Sequence, residues 1–414
     1  MRSDRQPVTQ TLCAFTGMTN ESGSMASASS WNTSTPPPST LRRQRNSFQA
    51  GTGRQIQGVI MLLLLLLASL LVPSGNLYAQ SRPLDIYWID VEGGAATLMV
   101  SPSGESFLID TGWTVGDRDA KRIYAAAQLA GLKKIDYLLI SHFHADHVGG
   151  LAALSKMIPI GKFYDHGDAI EKENQQWLDS YTTASAGKRT IVKPGDEIPV
   201  KGLRVLVVAS DQKVLAKPVN GGGPNPLCAT AEQKAPIGLE NQRVAGVLVS
   251  YGKFKYLNLI DLDWEKEMEL ACPVNKLGTV TVYQTSRHGA FDGAGAPAFL
   301  DAIKPQVVVV NNGPRKGMGQ VDANAKSITP GGAARYEKVA YLRLAQIPGI
   351  EGIWQEHLSL LDPDPHHNTS PDMIANLEET ADCKGNWVKA SVQPDGKFTV
   401  TNSRNGFSKT YIAR

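Results

Sequence analysis

The ten residues Ser141-His142-Phe143-His144-Ala145-Asp146-His147-Val148-Gly149-Gly150 constrain this chain more than any other stretch. Four potential metal ligands, His142, His144, Asp146 and His147, fall within six positions there. Just upstream, the apolar and partly β-branched run Ile135 to Ile140 predicts a buried strand that delivers the histidines to a loop at its C-terminal end. Gly149 and Gly150 then let the chain turn into a helix. In an extended loop His142 and His144 project to one side, while Asp146 and His147 follow past the bend and face a second ion. A two-metal site needs that arrangement. The plainer alternative is a solvated polar loop, but it does not account for three of the chain's eight histidines gathering beside an aspartate.

His-x-His-x-Asp-His after a hydrophobic strand resembles the signature of the metallo-β-lactamase superfamily. The rest of the chain can be tested against that likeness. Leu84 to Asp90, Ala96 to Val100 and Ser106 to Asp110, the last two around a Pro102-Ser103-Gly104 turn, read as an antiparallel β start. Between the first two sits Asp90-Val91-Glu92-Gly93-Gly94-Ala95, whose glycines permit a tight bend with backbone close to a neighbour. This segment resembles the Asp-Val-Gly-Gln-Gly segment of the metallo-hydrolase domain of ComEC-type competence proteins, with Glu92 departing from the usual glycine. Asp110-Thr111-Gly112 ends its strand as the superfamily's first half does, and Asp110 is expected to hold the histidine loop by hydrogen bonds rather than to bind metal. Helices over Ala120 to Ala130 and Leu151 to Met157, alternating with strands, point to an α/β sandwich. The superfamily's version is a four-layer αββα fold, two sheets face to face with helices outside.

Two further strand ends complete the expected ligand set. The strands Val244 to Tyr251 and Lys255 to Ile260 meet at Gly252 as a hairpin and deliver Asp261-Leu262-Asp263-Trp264. By the resemblance, a carboxylate at this position bridges two ions; Asp261 is preferred over Asp263, which reads as a helix N-cap before Glu265, Lys266 and Glu267. After the strand Thr279 to Gln284, His288 in Ser286-Arg287-His288-Gly289 matches the family's last histidine motif. In lactamases a third histidine of the first site arrives near a strand such as Leu203 to Val208, where this chain has Ala209-Ser210-Asp211 instead. That absence speaks against a β-lactamase in the strict sense and leaves Asp211 as a weak substitute.

Other candidates are less constrained. His166 follows a short strand and is more often an ordinary polar group than a ligand; His357 ends a strand at Trp354-Gln355-Glu356-His357 and is placed to approach the cleft. His366 and His367 lie in a Pro/Asp/Asn loop and read as surface. After the buried strand Val307 to Val310, Asn311-Asn312-Gly313-Pro314-Arg315-Lys316-Gly317 is either a charged surface turn or a substrate-facing loop. Asp168 to Ser185 looks helical, and Val219 to Pro236, rich in Gly and Pro, reads as a mobile loop of the kind that borders substrate sites. Trp387 to Val392 and Lys397 to Thr401, around Pro394-Asp395-Gly396, predict a closing β-hairpin.

The N-terminal part has a different character. Residues 1–58 show almost no apolar periodicity, and Thr19 to Thr40 is Ser/Thr/Pro-rich, so this part reads as disordered or as lying upstream of the true start. Arg42, Arg43, Arg45 and Arg54 precede the 14-residue apolar run Val59 to Val72, and Leu77-Tyr78-Ala79 ends in a small residue before Gln80. Residues 59–79 therefore read as a signal peptide, cleaved near Ala79 to give a secreted or periplasmic protein. The run is shorter than the ~20 residues of a membrane span, so no permanent anchor is expected. Residues 1–79 hold six Arg against two acidic residues, a balance of +4, so in a chain of net charge +3 the remainder carries −1. That excludes the basic surplus of a dedicated nucleic-acid binder. Cys228, Cys272 and Cys383 follow the leader and Cys13 lies within it; export allows one disulfide but implies no framework.

The sequence is thus read as a hydrolase domain over residues 80–360 with a C-terminal extension over 361–414. The resemblance implies that His142 and His144 hold one ion, Asp146, His147 and His288 the other, and Asp261 both, with Asp146 and Asp261 acting in catalysis. Nitrogen and carboxylate donors favour one or two Zn²⁺ ions, with Mn²⁺ or Fe as alternatives. The expected reaction is hydrolysis of a phosphoester, small or associated with the cell wall, with Asn311, Asn312, Arg315 and Lys316 as candidate substrate contacts. A lactam or lactone substrate is the alternative, as is a catalytically silent binding module that keeps the fold.

Overall fold

The computed structural model describes residues 82–236, 238–319, 339–380 and 383–414. The expected leader over 1–58, the expected signal peptide over 59–79 and Cys13 lie outside these residues. The chain first lays down β1 (Leu84–Ile89), β2 (Thr97–Val100), β3 (Ser106–Ile109), β4 (Ile135–Leu139), β5 (Ile160–Asp165) and β6 (Arg189–Ile191). It then crosses to β7 (Glu197–Ile198), β8 (Arg204–Ser210), β9 (Lys213–Val214), β10 (Gly246–Tyr251), β11 (Phe254–Asn258), β12 (Val282–Gln284), β13 (Val307–Val310), β14 (Gly352–His357) and β15 (Ile374–Asn376). It returns with β16 (Trp387–Val392), β17 (Lys397–Asn402) and β18 (Ser408–Ile412). The strands form two sheets, in the orders β18-β17-β16-β1-β2-β3-β4-β5-β6 and β15-β14-β13-β12-β11-β10-β8-β7, with β9 paired to β8.

The residue pattern explains the layers. Alternate residues of β1 serve different cores: Ile86 and Trp88 face the second sheet, whereas Tyr87 and Ile89 face the helices. A strand buried on both faces must be apolar almost throughout, and β1 to β4 are. Between the sheets, Trp88, Met99 and Phe107 meet Val205, Val207, Val247 and Tyr256. Outside the first sheet, Leu98, Leu108 and Leu138 pack under helices Arg118–Leu129 and Leu151–Met157 through Ile123, Ala127, Leu151 and Leu154. Helices Trp264–Ala271 and Pro297–Ile303 cover the second sheet through Met268, Leu270, Phe299 and Leu300. The result is the four-layer αββα sandwich.

A buried polar knot joins the sheets beneath their strand ends. The Gln284 Oε1 atom accepts from Thr97 Oγ1 at 3.0 Å, Tyr256 Oη at 2.5 Å and Asn258 Nδ2 at 3.1 Å, and Trp88 Nε1 donates to Tyr256 Oη at 3.2 Å. Such a knot tolerates few registers, because slipping either sheet orphans several buried groups at once.

The structure departs from the sequence reading in three places. Residues 361–414 are no appendage: β16 pairs antiparallel with β1 along its full length, Leu84 opposite Val392 and Ile89 opposite Trp387, and β18 extends the expected hairpin to three strands. The stretch Val219 to Pro236 contains a short 3₁₀ turn, Pro226–Ala229, and is tied to the helical layer by a Cys228–Cys272 disulfide. The helix expected from Asp168 begins with a 3₁₀ turn at Lys172 and becomes α-helical only over Gln175–Ser185.

Candidate metal centre

The site lies where β3, β4, β11 and β12 end, and three of those ends bend through backbone that L-residues seldom adopt. Asp110 has φ 60°, Ile260 φ 54°, Arg287 φ 51° and His288 φ 57°. A left-handed β-branched residue such as Ile260 costs energy that its surroundings must repay. Here Asn258 Oδ1 accepts from Ile260 N at 3.0 Å and Ile260 O accepts from Arg287 N at 2.7 Å, fixing two ligand-bearing loops to each other.

Asp146, His147, Asp261 and His288 converge, one ligand atom from each lying within 4.8 Å of the others. All four are buried. His147 Nε2 is 3.1 Å from Asp146 Oδ2 and 3.5 Å from Asp261 Oδ2; His288 Nε2 is 3.1 Å from Asp146 Oδ2 and 3.2 Å from Asp261 Oδ1. Despite this closeness, His147 Nε2, His288 Nε2 and Asp261 Oδ1 have no hydrogen-bond partner. Buried donors and acceptors aimed at a common point without bonding one another fit a cation at that point.

His142 and His144 stand beside this group. His142 Nε2 is 2.9 Å from His144 Nδ1, and the His142 and His147 rings lie 4.1 Å apart. Asp110 holds the loop: its Oδ1 accepts from Ser141 N at 2.7 Å, and its Oδ2 accepts from Ser141 Oγ at 2.7 Å and pairs with His147 Nδ1 at 2.8 Å. With Nδ1–H given to Asp110, the imidazole presents its Nε2 lone pair to the cluster. Asn311 Nδ2 lies 2.9 Å from His288 Nδ1, and its unpartnered Oδ1 would accept from Nδ1–H after a half-turn of the amide.

The charges are strongly coupled. Burial acts to raise the Asp146 carboxyl, but His147 and Lys316 overcome it and hold Asp146 well below the usual carboxylate range. Asp261 is likewise held low against burial, by His288 and His147. Burial favours neutral His147, yet Asp146, Asp261 and Asp110 raise it well above the ordinary histidine value. His142, by contrast, is pushed well down by burial and by its neighbours His147 and His144. The pair of carboxylates therefore attracts positive charge.

Several expected residues go elsewhere. His166 is not among the ligands: its Nε2 pairs at 3.0 Å with buried Glu240, whose Oε1 also accepts from Phe143 N, so it buttresses the histidine loop. Asp211 is engaged by Arg243 rather than by the cluster. His357 joins a separate group with Asp90 and Glu92. Arg315 is exposed and pairs with Glu379 at 2.9 Å, away from the cluster. Asn312 holds backbone, donating to Gly313 O and His357 O. Lys316 alone of that pair of cations reaches the site: its ammonium contacts Asp146 Oδ2 and lies 4.5 Å from the Trp113 ring centre. Asp263 does occupy the N-cap position of helix Trp264–Ala271, but its side chain makes no cap bond and accepts instead from Arg287 Nη1 at 3.3 Å.

The sequence reading did not anticipate Glu171 and Glu240. Glu171 Oε2 lies 3.4 Å from His144 Nε2, and its Oε1 accepts from the backbone N–H of Leu239 and Glu240. Nothing local marks either glutamate. The Asp90-to-Ala95 bend does show its purpose: Ala95 N donates to Asp146 O at 3.0 Å, and a Cβ at Gly94 would come within 2.5 Å of that oxygen.

The four-layer sandwich is consistent with the metallo-β-lactamase fold. Residues 89–233 match the family model described as Metallo-beta-lactamase superfamily. A Polynucleobacter asymbioticus protein named "UPF0173 metal-dependent hydrolase" is 28% identical over 158 residues, 36% of this chain and 52% of its own length. One of the same name from Cupriavidus metallidurans is 35% identical over 71 residues, 17% of this chain and 22% of its own. The chain thus spans about half or less of the curated relatives it matches. Among solved structures, the metallo-beta-lactamase fold protein YhfI from Bacillus subtilis aligns over 66% of this chain and 96% of its own, with 11% identity and a TM-score of 0.39. CmlA, a diiron beta-hydroxylase from Streptomyces venezuelae, aligns over 66% of this chain and 52% of its own, with 14% identity and a TM-score of 0.38.

Proposed function

We propose that the protein is a metal-dependent hydrolase acting on a phosphoester, with His142, His144, Asp146, His147, Asp261 and His288 holding one or two Zn²⁺ ions. The curated relatives carry the name metal-dependent hydrolase, which supports the reaction class. The donor set is imidazole and carboxylate, which suits zinc. Bound there, the metal supplies a water of lowered pKa and a Lewis acid for the scissile group.

The chain's own residues do the rest. Asp110 orients His147, Asn311 orients His288, and Glu171 and Glu240 hold His144 and the loop carrying it. Lys316 is the observation that favours a phosphoester. Its ammonium sits at the carboxylate edge of the cluster over Trp113, placed to meet the negative charge of a phosphoryl oxygen. The near-neutral balance beyond residue 79 disfavours long duplex DNA, whose binding draws on many phosphate contacts. A small or cell-wall-associated diester fits better. Export is part of the same proposal, supported by the arginine-flanked apolar run ahead of Ala79 and by the Cys228–Cys272 disulfide. Among the described residues no helix is long and apolar enough to cross a membrane.

The test is turnover of a model phosphodiester and of a lactam by the purified protein and its Lys316→Ala and Arg315→Ala variants. Losing a transition-state charge contact of a few kcal/mol lowers diester turnover by about a hundredfold or more in Lys316→Ala. Arg315→Ala should be near parental, because its partner is an exposed Glu379. Rapid lactam cleavage without diester turnover overturns the substrate assignment and leaves the hydrolase reading intact.

A further inference from the structure

A second convergence of ligand-type side chains lies at the ends of β1 and β14, apart from the four-residue cluster described above. Asp90, Glu92, His357 and Cys383 each offer one ligand atom, and these atoms lie within 4.8 Å of one another. Asp90 and His357 are fully buried, at 0% and 1% exposure. His357 Nε2 is 3.1 Å from Asp90 Oδ1 and 3.4 Å from Glu92 Oε2, yet it has no hydrogen-bond partner. His147 Nε2 and His288 Nε2 show the same combination of a buried imidazole nitrogen crowded by carboxylate oxygens and bonded to none. Side chains in an ordinary ion pair turn to share a proton. Here they are aimed at a point between them.

Arg122 explains how the carboxylates keep that aim. Its Nη1 donates to Asp90 Oδ2 at 3.1 Å and its Nη2 to Glu92 Oε1 at 3.2 Å, while Nη2 also donates to Cys383 O at 3.0 Å. Each carboxylate thus gives one oxygen to the guanidinium and turns the other, Oδ1 or Oε2, toward His357, with Asp90 Oδ1 also accepting from Glu92 N at 2.9 Å. One outer side chain orienting three inner residues is how ligand geometry is fixed around protein-bound metals. The Cys383 thiol donates to Asp90 Oδ2 at 3.9 Å, and among the described cysteines it is the free one, Cys228 and Cys272 being bonded to each other.

We propose that Asp90, Glu92, His357 and Cys383 form a second, structural metal site for Zn²⁺. Two carboxylates, an imidazole and a thiolate make four donors, the number that closes a tetrahedral zinc site and leaves no position for substrate. Charge balances as well: the three anionic donors are offset by a divalent ion and the Arg122 guanidinium. The site joins segments distant in sequence, the bend after β1, the end of β14 and the segment before β16. It thereby anchors the bend whose Gly94 lies against Asp146.

The test loads the metal-free full-length protein with Co²⁺ and reads the near-ultraviolet thiolate-to-cobalt charge-transfer band, with zinc content measured in parallel. The band should appear in the parent and in Cys13→Ser, persist in Asp261→Ala, and vanish in Cys383→Ser. Zinc content should fall by one ion per chain in both Cys383→Ser and His357→Gln. No band in the parent, a band that survives in Cys383→Ser, or parental zinc content in both variants overturns the proposal and leaves the group as a buried ion-pair network around Arg122. Because the band reports sulfur coordination, it is silent on the nitrogen and oxygen ligands of the first site, and activity plays no part in the readout.

Discussion

Asp110 is the residue whose removal most sharply tests the construction of the histidine loop. In Asp110→Ala two buried donors, Ser141 N–H and His147 Nδ1–H, lose their acceptor, whereas Ser141 Oγ keeps a second neighbour in His142 Nδ1 at 3.0 Å. At about 1–3 kcal/mol for each orphaned donor, the loss is roughly 2–6 kcal/mol. That loss is smaller than all but the low end of a typical domain stability of about 5–15 kcal/mol, so the variant should fold. Zinc affinity should fall about 10–100-fold, the scale for losing the partner of a metal-binding histidine. Asp110→Asn separates the two effects. Its amide oxygen can still accept from Ser141 N, so the stability loss should be smaller. Its NH₂ would face His147 Nδ1 and push the imidazole proton to Nε2, so the affinity loss should match that of alanine. Urea unfolding of the metal-free proteins gives the first quantity and competition with a chromophoric chelator the second. If alanine lies within about 0.5 kcal/mol of the parent and binds zinc as tightly, Asp110 is not holding the loop and the reasoning fails.

Asp261→Ala should lower bound metal and abolish hydrolysis in a folded protein, while Asp263→Ala should affect mainly the Arg287 contact; the reverse pattern would show that the bridging carboxylate was misassigned. For stability against pH, burial raises Glu267 to about 7, against hydrogen bonds that include those from Ala296 N and Tyr283 Oη. Between its unfolded value near 4.5 and about 7 the folded form therefore binds the extra proton, so its stabilising contribution is full at low pH and is lost as pH rises through that window. The loss amounts to about 3 kcal/mol, and Glu267→Gln should abolish it; equal parent-to-variant differences in urea midpoint below and above the window would contradict this. N-terminal sequencing of exported protein should begin near Gln80, and a mature chain that keeps Val59 to Val72 would indicate an anchor instead.

Local chemistry made much of the site legible. The motif strand, the aspartate after a hairpin and the His-Gly after a strand all announce themselves, because parallel strands put their C-terminal ends together and the glycines mark the bends. Partnerships across distance were not legible. Nothing beside His166 reveals that Glu240 will meet it, and nothing beside Asp211 reveals Arg243. Arg315 and Lys316 are neighbours of the same charge, and only the fold of their loop against the Asp90-to-Ala95 bend separates an exposed ion pair from a contact with Asp146. The third strand of the C-terminal group was missed because β18 buries only Tyr411 and so lacks the apolar alternation that identifies a strand. Strained backbone at Ile260 was hidden for the opposite reason, since a β-branched residue argues for extended structure.

The pairing of β1 with β16 has a consequence for how the protein is made. β1, the first strand among the described residues, pairs with β2 as soon as that strand follows, but its other edge finds β16 only when residues 387–392 have been synthesised, nearly the whole chain later. Until then β1 presents an unpaired edge carrying Tyr87 and Trp88, the type of edge that recruits strands from other chains. Closing so long a loop makes the last docking step slow, and a nascent or truncated chain is exposed to aggregation meanwhile. The export proposed above, in an unfolded state, would sidestep this hazard, because the sheet would then be completed only after translocation.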